Sequence, residues 1–163
     1  MTVPTARDAL VSGRSSLSVN NAVASIIRVG GDGYLMQLRD SRPDIWYPGH
    51  WGLFGGGVEP GEDPIEALKR ELYEELELEF RGEDAQFFAR IDFDLGGLGL
   101  RRYYRSYYLV PITHAVEAQL VLHEGAARRV FSAADILREP HVTPYDAFAL
   151  FLHHASGRLA DPA

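Results

Sequence analysis

Residues 51–78 read WGLFGGGVEPGEDPIEALKRELYEELEL, a glycine-rich loop that runs directly into an amphipathic helix. Asp63 occupies the predicted N-cap, Pro64 the first helical position, and Glu66 follows Asp63 by three residues, which is a capping-box pattern. The apolar residues beyond them recur at intervals of three and four, so they predict one stripe packed against a core. These residues are Ile65, Leu68, Leu72 and Leu76.

Three acidic side chains lie on a second face of the predicted helix. Glu71, Glu74 and Glu75 have the spacing i, i+3, i+4, which places them about a quarter turn from the apolar stripe. Arg70 lies one turn from both Glu66 and Glu74 and can bridge carboxylates along its own edge. The acidic face is either a solvated surface or a site for a hard cation such as Mg²⁺ or Mn²⁺, which prefers oxygen ligands.

The loop before this helix carries four glycines, Gly55, Gly56, Gly57 and Gly61. Glycine accepts positive φ and lets a ligand approach the backbone, and a glycine-rich turn before a helix N-terminus suits a phosphate group. A flexible turn explains the same residues when the loop is considered alone. The loop and the acidic face together favour a site for a phosphate held through a metal ion.

Loop and helix also match a longer pattern. It consists of Gly56, five residues, Glu62, seven residues, Arg70-Glu71-Leu72, one residue, Glu74-Glu75, one residue and Leu78. This pattern resembles the Nudix box of the Nudix (MutT-like) hydrolases. One position departs from it, because Glu77 stands where the family has glycine. A non-glycine residue predicts either a strained left-handed helix end, at a cost of roughly 1 kcal/mol, or a different exit from the helix.

The resemblance implies an α/β fold of the Nudix type, an α/β/α sandwich with a mixed β-sheet between helices. It implies hydrolysis of a nucleoside diphosphate linked to another group, with water attacking phosphorus, and favours a nucleoside triphosphate or a nucleotide sugar as substrate. The implied cofactor is Mg²⁺ or Mn²⁺. The alternative is a catalytically silent Nudix-fold module that binds or senses a nucleotide.

Individual residues receive expected roles on the same basis. The implied metal ligands are Glu71, Glu74 and Glu75 with a backbone carbonyl of Gly55 or Gly56, and the implied catalytic set is Arg70, Glu74 and Glu75. Candidates for substrate binding are Arg39, Gly57 and Glu59. His123 and Glu124 are candidate general bases outside the box, although ordinary surface positions explain them as well.

The rest of the chain predicts strands and helices in alternation. Strands are expected at residues 21–29, 34–38, 51–54, 85–94, 98–110, 120–123 and 128–131. Ser132 with Asp135 predicts a helix ending near Arg138, and Thr143 with Asp146 predicts another that ends near His154. In the last helix, Phe148, Phe151 and Leu152 are expected to pack onto the sheet.

Two aromatic groups leave alternatives open. Trp46 and Tyr47 form either a lip that stacks on a base or, as we favour, a loop that packs on its own domain. Arginines and tyrosines cluster on the strand at 98–110, and successive strand residues face opposite sides of a sheet. Only a subset, drawn from Arg101, Arg102 and Arg105 with their tyrosine neighbours, can therefore clamp a phosphate or stack a base. The alternative is edge-strand charge with core tyrosines.

The composition predicts one globular domain at residues 21–157, with a lead-in at 1–20 that is either mobile or a dimer-forming arm, and a tail at 158–163. The chain has 163 residues, 46% of them hydrophobic, and a formal charge of −7, which disfavours nucleic-acid binding. No membrane span or signal peptide is expected, and the absence of cysteine fits a cytoplasmic protein. The expected partner is a small nucleotide, with a homodimer possible.

Overall fold

The strands form one mixed sheet between helices in the computed structural model, which describes residues 19–159 but not the side chains of Leu98 and residues 157–159. The strands are β1 (Ala22–Val29), β2 (Gly33–Leu38), β3 (Trp51–Gly52), β4 (Gln86–Phe93), β5 (Tyr103–Ile112) and β6 (Ala127–Phe131). The helices are α1 (Pro64–Leu76), α2 (His114–Glu117), α3 (Ala133–Arg138) and α4 (Pro144–Leu159). Short 3₁₀ turns lie at Gly82–Asp84 and Gly96–Leu98.

The sheet has the order β3-β2-β1-β5-β4, and β6 pairs with the remaining edge of β2. β1 and β5 run parallel, whereas the other strand pairs are antiparallel. The sheet is therefore mixed, as predicted. β5 lies between β1 and β4, so the interpretation of its arginines as edge-strand charge is wrong.

Alternate residues of β1 serve two separate cores, as the pleat of a strand requires. Val23 and Ile27 pack with the stripe of α1, whereas Ala24 and Ile26 pack with α3 and α4. The predicted stripe residues Leu68, Leu72 and Leu76 are fully buried. Helices thus cover both faces of the sheet, which confirms the predicted α/β/α sandwich.

Local sequence signals position the start of α1. The Asp63 carboxylate accepts the Ile65 N–H at 2.9 Å, and Pro64 is the first helical residue, which confirms the predicted N-cap. Glu66 instead pairs with Lys69, one turn further along the helix. Asp63 therefore caps the first turn, which fixes where the helix begins relative to the glycine-rich loop.

The end of α1 adopts the left-handed conformation on a residue other than glycine. Glu77 has φ 54° and ψ 28°, and its N–H donates to the carbonyl oxygen of Tyr73 at 2.9 Å. The N–H groups of Val121 and His123 donate to the last carbonyl groups of α1. Of the two helix ends predicted from Glu77, the chain adopts the strained left-handed one.

Replacing Glu77 with glycine is expected to stabilise the protein by roughly 1 kcal/mol, because glycine adopts positive φ without strain. Loss of the exposed contact between Glu77 and His123 offsets only a few tenths of this gain. Urea denaturation measures the change. The matched control is Glu79→Gly, at a position without positive φ, which should destabilise the protein. Equal destabilisation by both substitutions would contradict the expected relief of strain.

The structure corrects three predicted elements. Residues 120–123 are not a strand, because the N–H groups of Val121 and His123 bind helix carbonyls and not a neighbouring strand. The helix α2, capped by Thr113, was not predicted. α4 continues to Leu159, beyond its predicted end near His154 and into the predicted tail.

Two aromatic side chains of α4 also differ from expectation. Phe148 and Phe151 do not pack onto the sheet: they are 52% and 53% exposed, whereas Ala149 and Leu150 are buried. Residues 1–18 of the predicted lead-in and 160–163 of the predicted tail lie outside the described residues, so the domain boundaries stay predictions. Within residues 19–159, no helix is long and apolar enough to cross a membrane.

Candidate active site

A cavity of about 990 Å³ lies where the glycine-rich loop, α1, the sheet and α4 meet. Of the predicted site residues, it is lined by Arg39, Gly55, Gly56, Gly57, Glu71, Glu75, His123 and Glu124. The fold thus brings together residues that lie up to 85 positions apart in sequence, from Arg39 to Glu124. A cavity of this size is large enough for a nucleotide-sized ligand.

The three consecutive glycines are required to different degrees. A Cβ on Gly55, which has φ 134°, would lie 2.3 Å from the backbone oxygen of Val23. A Cβ on Gly56 would lie 2.3 Å from Oε2 of Glu71, whereas one on Gly57 would meet no atom within 4 Å. Gly55 is therefore needed for the fold, and Gly56 is needed to admit the Glu71 carboxylate.

Gly56→Ala is expected to leave the protein folded and to lower its activity by roughly 10- to 100-fold, because the atoms nearest to the added methyl group belong to the Glu71 carboxylate, which it would displace from Arg70. Gly57→Ala is the matched control: its added methyl group meets no atom within 4 Å, so it should leave stability nearly unchanged and lower activity much less than Gly56→Ala does. Thermal denaturation and initial rates measure the two effects. Equal activities of the two variants would contradict the assigned position of the Glu71 carboxylate.

Glu75 is buried at the end of the cavity next to the glycine-rich loop, with only 3% of its surface exposed. Its Oε2 accepts the Gly55 N–H at 2.8 Å, and its Oε1 accepts a hydrogen bond from Nε2 of Gln37 at 3.2 Å. Burial raises the pKa of Glu75 to about 8, and the negative charges of Glu71 and Glu124 contribute to the same shift. The carboxyl group is therefore protonated at neutral pH without a cation beside it.

Arg70 holds the second carboxylate and the loop. Its guanidinium donates to Glu71 at 2.6 Å, to Glu62 at 2.9 and 3.0 Å, and to the carbonyl oxygen of Gly57 at 3.0 Å. Burial raises the pKa of Glu71, and Arg70 opposes that shift. Arg70 thus contacts two acids and the loop, and its main partner is Glu62 and not Glu66 or Glu74, which lie one turn away.

Three predicted site residues, Arg70, Glu74 and Glu59, lie outside the cavity lining. Glu74 is 60% exposed and lies 3.9 Å from Arg70, and Glu59 is exposed with its N–H bound to Glu62. At about 100° per residue, Glu71 and Glu75 are about 40° apart, whereas Glu74 lies about 160° from the centre of the apolar stripe. The single acidic face predicted from the spacing is therefore divided, with Glu74 directed to solvent.

The two candidate bases have different surroundings. Nε2 of His123 lies 2.7 Å from Oε1 of Glu77, so this ring is already engaged outside the acidic group. The charge of Glu124 contributes to the raised pKa values of both Glu71 and Glu75, and Glu124 lines the same cavity as these two residues. Glu124 is thus the better placed of the two.

The donor set suits a hard divalent cation. Glu71, Glu75 and Glu124 supply only oxygen atoms, and the like charges that raise the pKa values of Glu71 and Glu75 are the kind a cation offsets. Among residues 19–159, no three Asp, Glu, His or Cys side chains already converge on one point. A cation here would therefore be held by two carboxylates together with backbone and water oxygens, which matches the tendency of Mg²⁺ to keep several waters.

The floor of the cavity is a row of residues paired across the sheet. Ala22 of β1 pairs with Gly57 on one side and with Arg105 on the other, and Arg105 pairs with Ile91 of β4. Neighbouring strands lie about 4.8 Å apart, so this row places the backbone of Arg105 about 10 Å from the backbone of Gly57 in the glycine-rich loop. All four residues line the cavity. Of the predicted arginine cluster, Arg105 alone lines it, while Arg102 pairs with Asp94 at the surface.

Aromatic side chains surround the part of the floor beyond Arg105. Tyr103 and Phe93 stack with ring centroids 4.8 Å apart, and Tyr47 makes an edge contact with Tyr145 at 5.8 Å. Trp46 also lines the cavity, so the loop at residues 39–50 borders the site. Tyr103 and Arg105 lie two residues apart on β5, so their side chains share one face of the sheet, and both line the cavity.

Asp146 supports the site through Arg105, whereas its position in the sequence had indicated only a helix-capping role. It is 1% exposed, and its Oδ1 accepts Nε of Arg105 at 3.1 Å. Its Oδ2 accepts the Leu53 N–H and the Thr143 hydroxyl, each at 2.9 Å. One carboxylate therefore joins the strand that leads into the glycine-rich loop, the cavity floor and the start of α4.

The model of the NUDIX domain matches residues 19–150, which is most of the chain. The chain belongs to the NUDIX domain family. Among Nudix structures, it resembles the MutT protein from Methanosarcina mazei Go1, with a TM-score of 0.70 at 18% identity over 89% of this chain and 98% of that one. It also resembles the E. coli ORF135 protein, with a TM-score of 0.66 at 29% identity over 90% and 97% of the two chains.

Sequence relatives extend the comparison within the Nudix family. The chain is 52% identical over 50 residues to the nucleoside triphosphatase NudI of Salmonella agona, covering 29% of this chain and 34% of that protein. NudI of Escherichia coli O1:K1 is 48% identical over 54 residues, covering 33% and 37%. The match thus spans about a third of the length of these curated relatives.

Proposed function

We propose that this protein is a metal-dependent hydrolase of a nucleoside diphosphate linked to another group. The observation that supports it best is the meeting of Glu71 and Glu75 with the glycine-rich loop at one end of a nucleotide-sized cavity. Family membership supports the same reaction class.

The cation would be held by Glu71, Glu75 and the carbonyl oxygen of Gly55. The carbonyl oxygen of Gly56 already accepts the Val23 N–H at 2.9 Å, so the Gly55 carbonyl is the better donor. Glu74 is left out of this set because it is directed to solvent. A bound Mg²⁺ or Mn²⁺ would neutralise pyrophosphate oxygens and lower the pKa of a water molecule.

The protein's own groups would perform the remaining tasks. Arg70 fixes Glu71 and the Gly57 carbonyl in one hydrogen-bonded unit, so the loop and the helix keep their relative position. We propose Glu124 as the general base that removes a proton from the attacking water, since His123 is engaged by Glu77. As the water oxygen bonds to phosphorus, the P–O bond between the α and β phosphates breaks, so a nucleoside monophosphate and the rest of the substrate (pyrophosphate, for a triphosphate) separate.

The substrate proposed is a nucleoside triphosphate, in preference to a nucleotide sugar. The relatives matched over about a third of their length carry the name nucleoside triphosphatase, which supports this preference. The cavity contains arginine and aromatic side chains beyond the acidic end, as a triphosphate with a planar base requires. A cytoplasmic location, expected from the sequence, stays a prediction.

A panel of nucleoside triphosphates, nucleotide sugars and dinucleoside polyphosphates, assayed with Mg²⁺ and with Mn²⁺, tests the proposal. We expect metal-dependent release of a nucleoside monophosphate, and ¹⁸O-labelled water identifies the phosphorus that is attacked. Omission of the metal should abolish turnover. Calorimetry that shows nucleotide binding, with no turnover under any metal condition, would instead support the silent sensor module. The intact acids of the box disfavour this alternative.

A further inference from the structure

A buried ion pair at the cavity floor, between Arg105 and Asp146, is not used by the proposed chemistry. Arg105 lines the cavity floor with a side chain that is 12% exposed, and Asp146 holds its Nε. A buried ion pair contributes little net stability compared with apolar residues of similar volume. Its position in a ligand cavity therefore indicates a role in recognition.

The contacts of Arg105 fix the plane of its guanidinium. Asp146 binds the Nε edge, and the ring centroids of Tyr145 and Tyr107 lie 5.0 and 5.7 Å from the guanidinium carbon. A guanidinium carries five N–H groups in a planar fork, and Asp146 takes the one on Nε. The fork is thus held in a fixed orientation, which suits the recognition of a planar ligand with paired acceptors.

The distance from the glycine-rich loop decides which part of a nucleotide Arg105 would meet. Two strand spacings, about 10 Å, separate Arg105 from Gly57 along the paired row. Phosphates held at the loop and the acidic end leave the ribose and the base to extend along this row. The stacked rings of Tyr103 and Phe93 lie on the same floor, two residues further along their strands, as a surface for a planar ring.

We propose that Arg105, positioned by Asp146, is the specificity-determining residue of a base-binding subsite and selects nucleotides whose base carries an oxo group. This inference rests on the proposed function and specifies its substrate class. Guanine offers a pair of acceptors to an arginine fork, and cytosine, uracil and thymine carry oxo groups, whereas adenine places an amino donor next to its ring nitrogen. The rings of Tyr103 and Phe93 can stack on any base, so it is Arg105 that discriminates between bases.

Substitution of Arg105 by lysine tests the assignment, since it keeps the charge opposite Asp146 and removes the fork. For the wild type, kcat/KM for GTP, CTP and UTP is expected to exceed that for ATP by about 10-fold or more. R105K should remove most of this preference through a higher KM for the oxo-base substrates, with kcat nearly unchanged. The matched control is R90K, at an arginine that packs on Tyr104 away from the cavity and pairs with Asp92 at the surface.

A second variant keeps the test valid if R105K does not fold. Tyr103→Leu leaves the pair of Arg105 and Asp146 intact and should raise KM for all four nucleotides by similar factors, without changing their ratios. Selective loss of the oxo-base substrates in Tyr103→Leu would overturn the inference. So would an equal loss of all four substrates in R105K, which would make Arg105 a phosphate ligand.

Equilibrium binding separates this inference from the proposed function. Calorimetry of the wild type and R105K with GMP, UMP and AMP needs no turnover. Tighter binding of GMP and UMP by the wild type, lost in R105K, supports the inference even if no nucleotide is hydrolysed. Hydrolysis of all four triphosphates at equal kcat/KM by the wild type would overturn it and leave the proposed hydrolase intact.

Discussion

Replacing Glu75 with glutamine is expected to reduce nucleotide hydrolysis by roughly 10³-fold, because the variant loses a charged oxygen ligand at the proposed cation site. The same substitution should stabilise the metal-free protein at alkaline pH. Glutamine has nearly the same shape and can still accept the Gly55 N–H and interact with Gln37. The two effects therefore have opposite signs, which separates loss of chemistry from loss of fold.

The direction of the pH effect follows from the raised pKa of Glu75. Burial raises it from 4.5 to about 8, so between these values the folded protein holds a proton that the unfolded chain releases. The contribution of the protonated group to stability is fully present below about pH 4.5 and is lost as the pH rises through about 8. In E75Q this loss disappears, so the variant should exceed the wild type at pH 9 by an amount on the order of a few kcal/mol.

Urea denaturation at pH 5 and pH 9, in the presence of a chelator, measures the stability difference, and initial rates with Mg²⁺ measure turnover. Glu79→Gln, an exposed substitution outside the cavity, is the control and should change neither quantity. Full activity of E75Q would remove Glu75 from the proposed ligand set. A parallel loss of stability at both pH values would show instead that the carboxylate supports the fold.

Replacing Asp146 with alanine is expected to destabilise the protein by roughly 3–5 kcal/mol, because Arg105 would remain buried without its counter-ion. The Leu53 N–H and the Thr143 hydroxyl would also lose their acceptor. Urea denaturation at neutral pH measures the loss. Asp94→Ala, which removes a comparable contact with Arg102 at the surface, is the matched control and should cost no more than about 1 kcal/mol.

A double variant tests the cause of this effect. If the unpaired guanidinium dominates the cost, Asp146→Ala combined with Arg105→Leu should recover part of the stability that Asp146→Ala loses alone. If the missing acceptor for Leu53 and Thr143 dominates, the double variant should be no more stable than Asp146→Ala. A cost near that of Asp94→Ala would contradict the central position assigned to Asp146.

The sequence allowed the fold and the acidic end of the site to be predicted because their signals are local. Periodicity and capping residues define α1, and the box spacing places Glu71 and Glu75 on it beside the glycine-rich loop. The division of the acidic face was missed because spacing alone does not say how far burial extends around the helix. Glu74 lies beyond that limit, so it faces solvent.

The rest of the site depends on contacts that no short stretch of sequence contains. The cavity floor requires the register that pairs Ala22 with Arg105, and Arg105 requires an aspartate 41 residues further along the chain. Phe148 was expected to pack onto the sheet, but it lines the cavity. Residues 120–123 have the composition of a strand, yet their N–H groups complete the end of α1.

The unequal demands on the three consecutive glycines imply an unequal tolerance to mutation within the lineage of this protein. Substitutions at Gly55 would be removed by selection for folding, because the backbone of β1 fills the space that a side chain needs. At Gly56, selection would act through activity, since the atoms nearest to an added side chain belong to the Glu71 carboxylate. Gly57 meets no such obstacle, so it is the position where orthologous sequences are expected to diverge first.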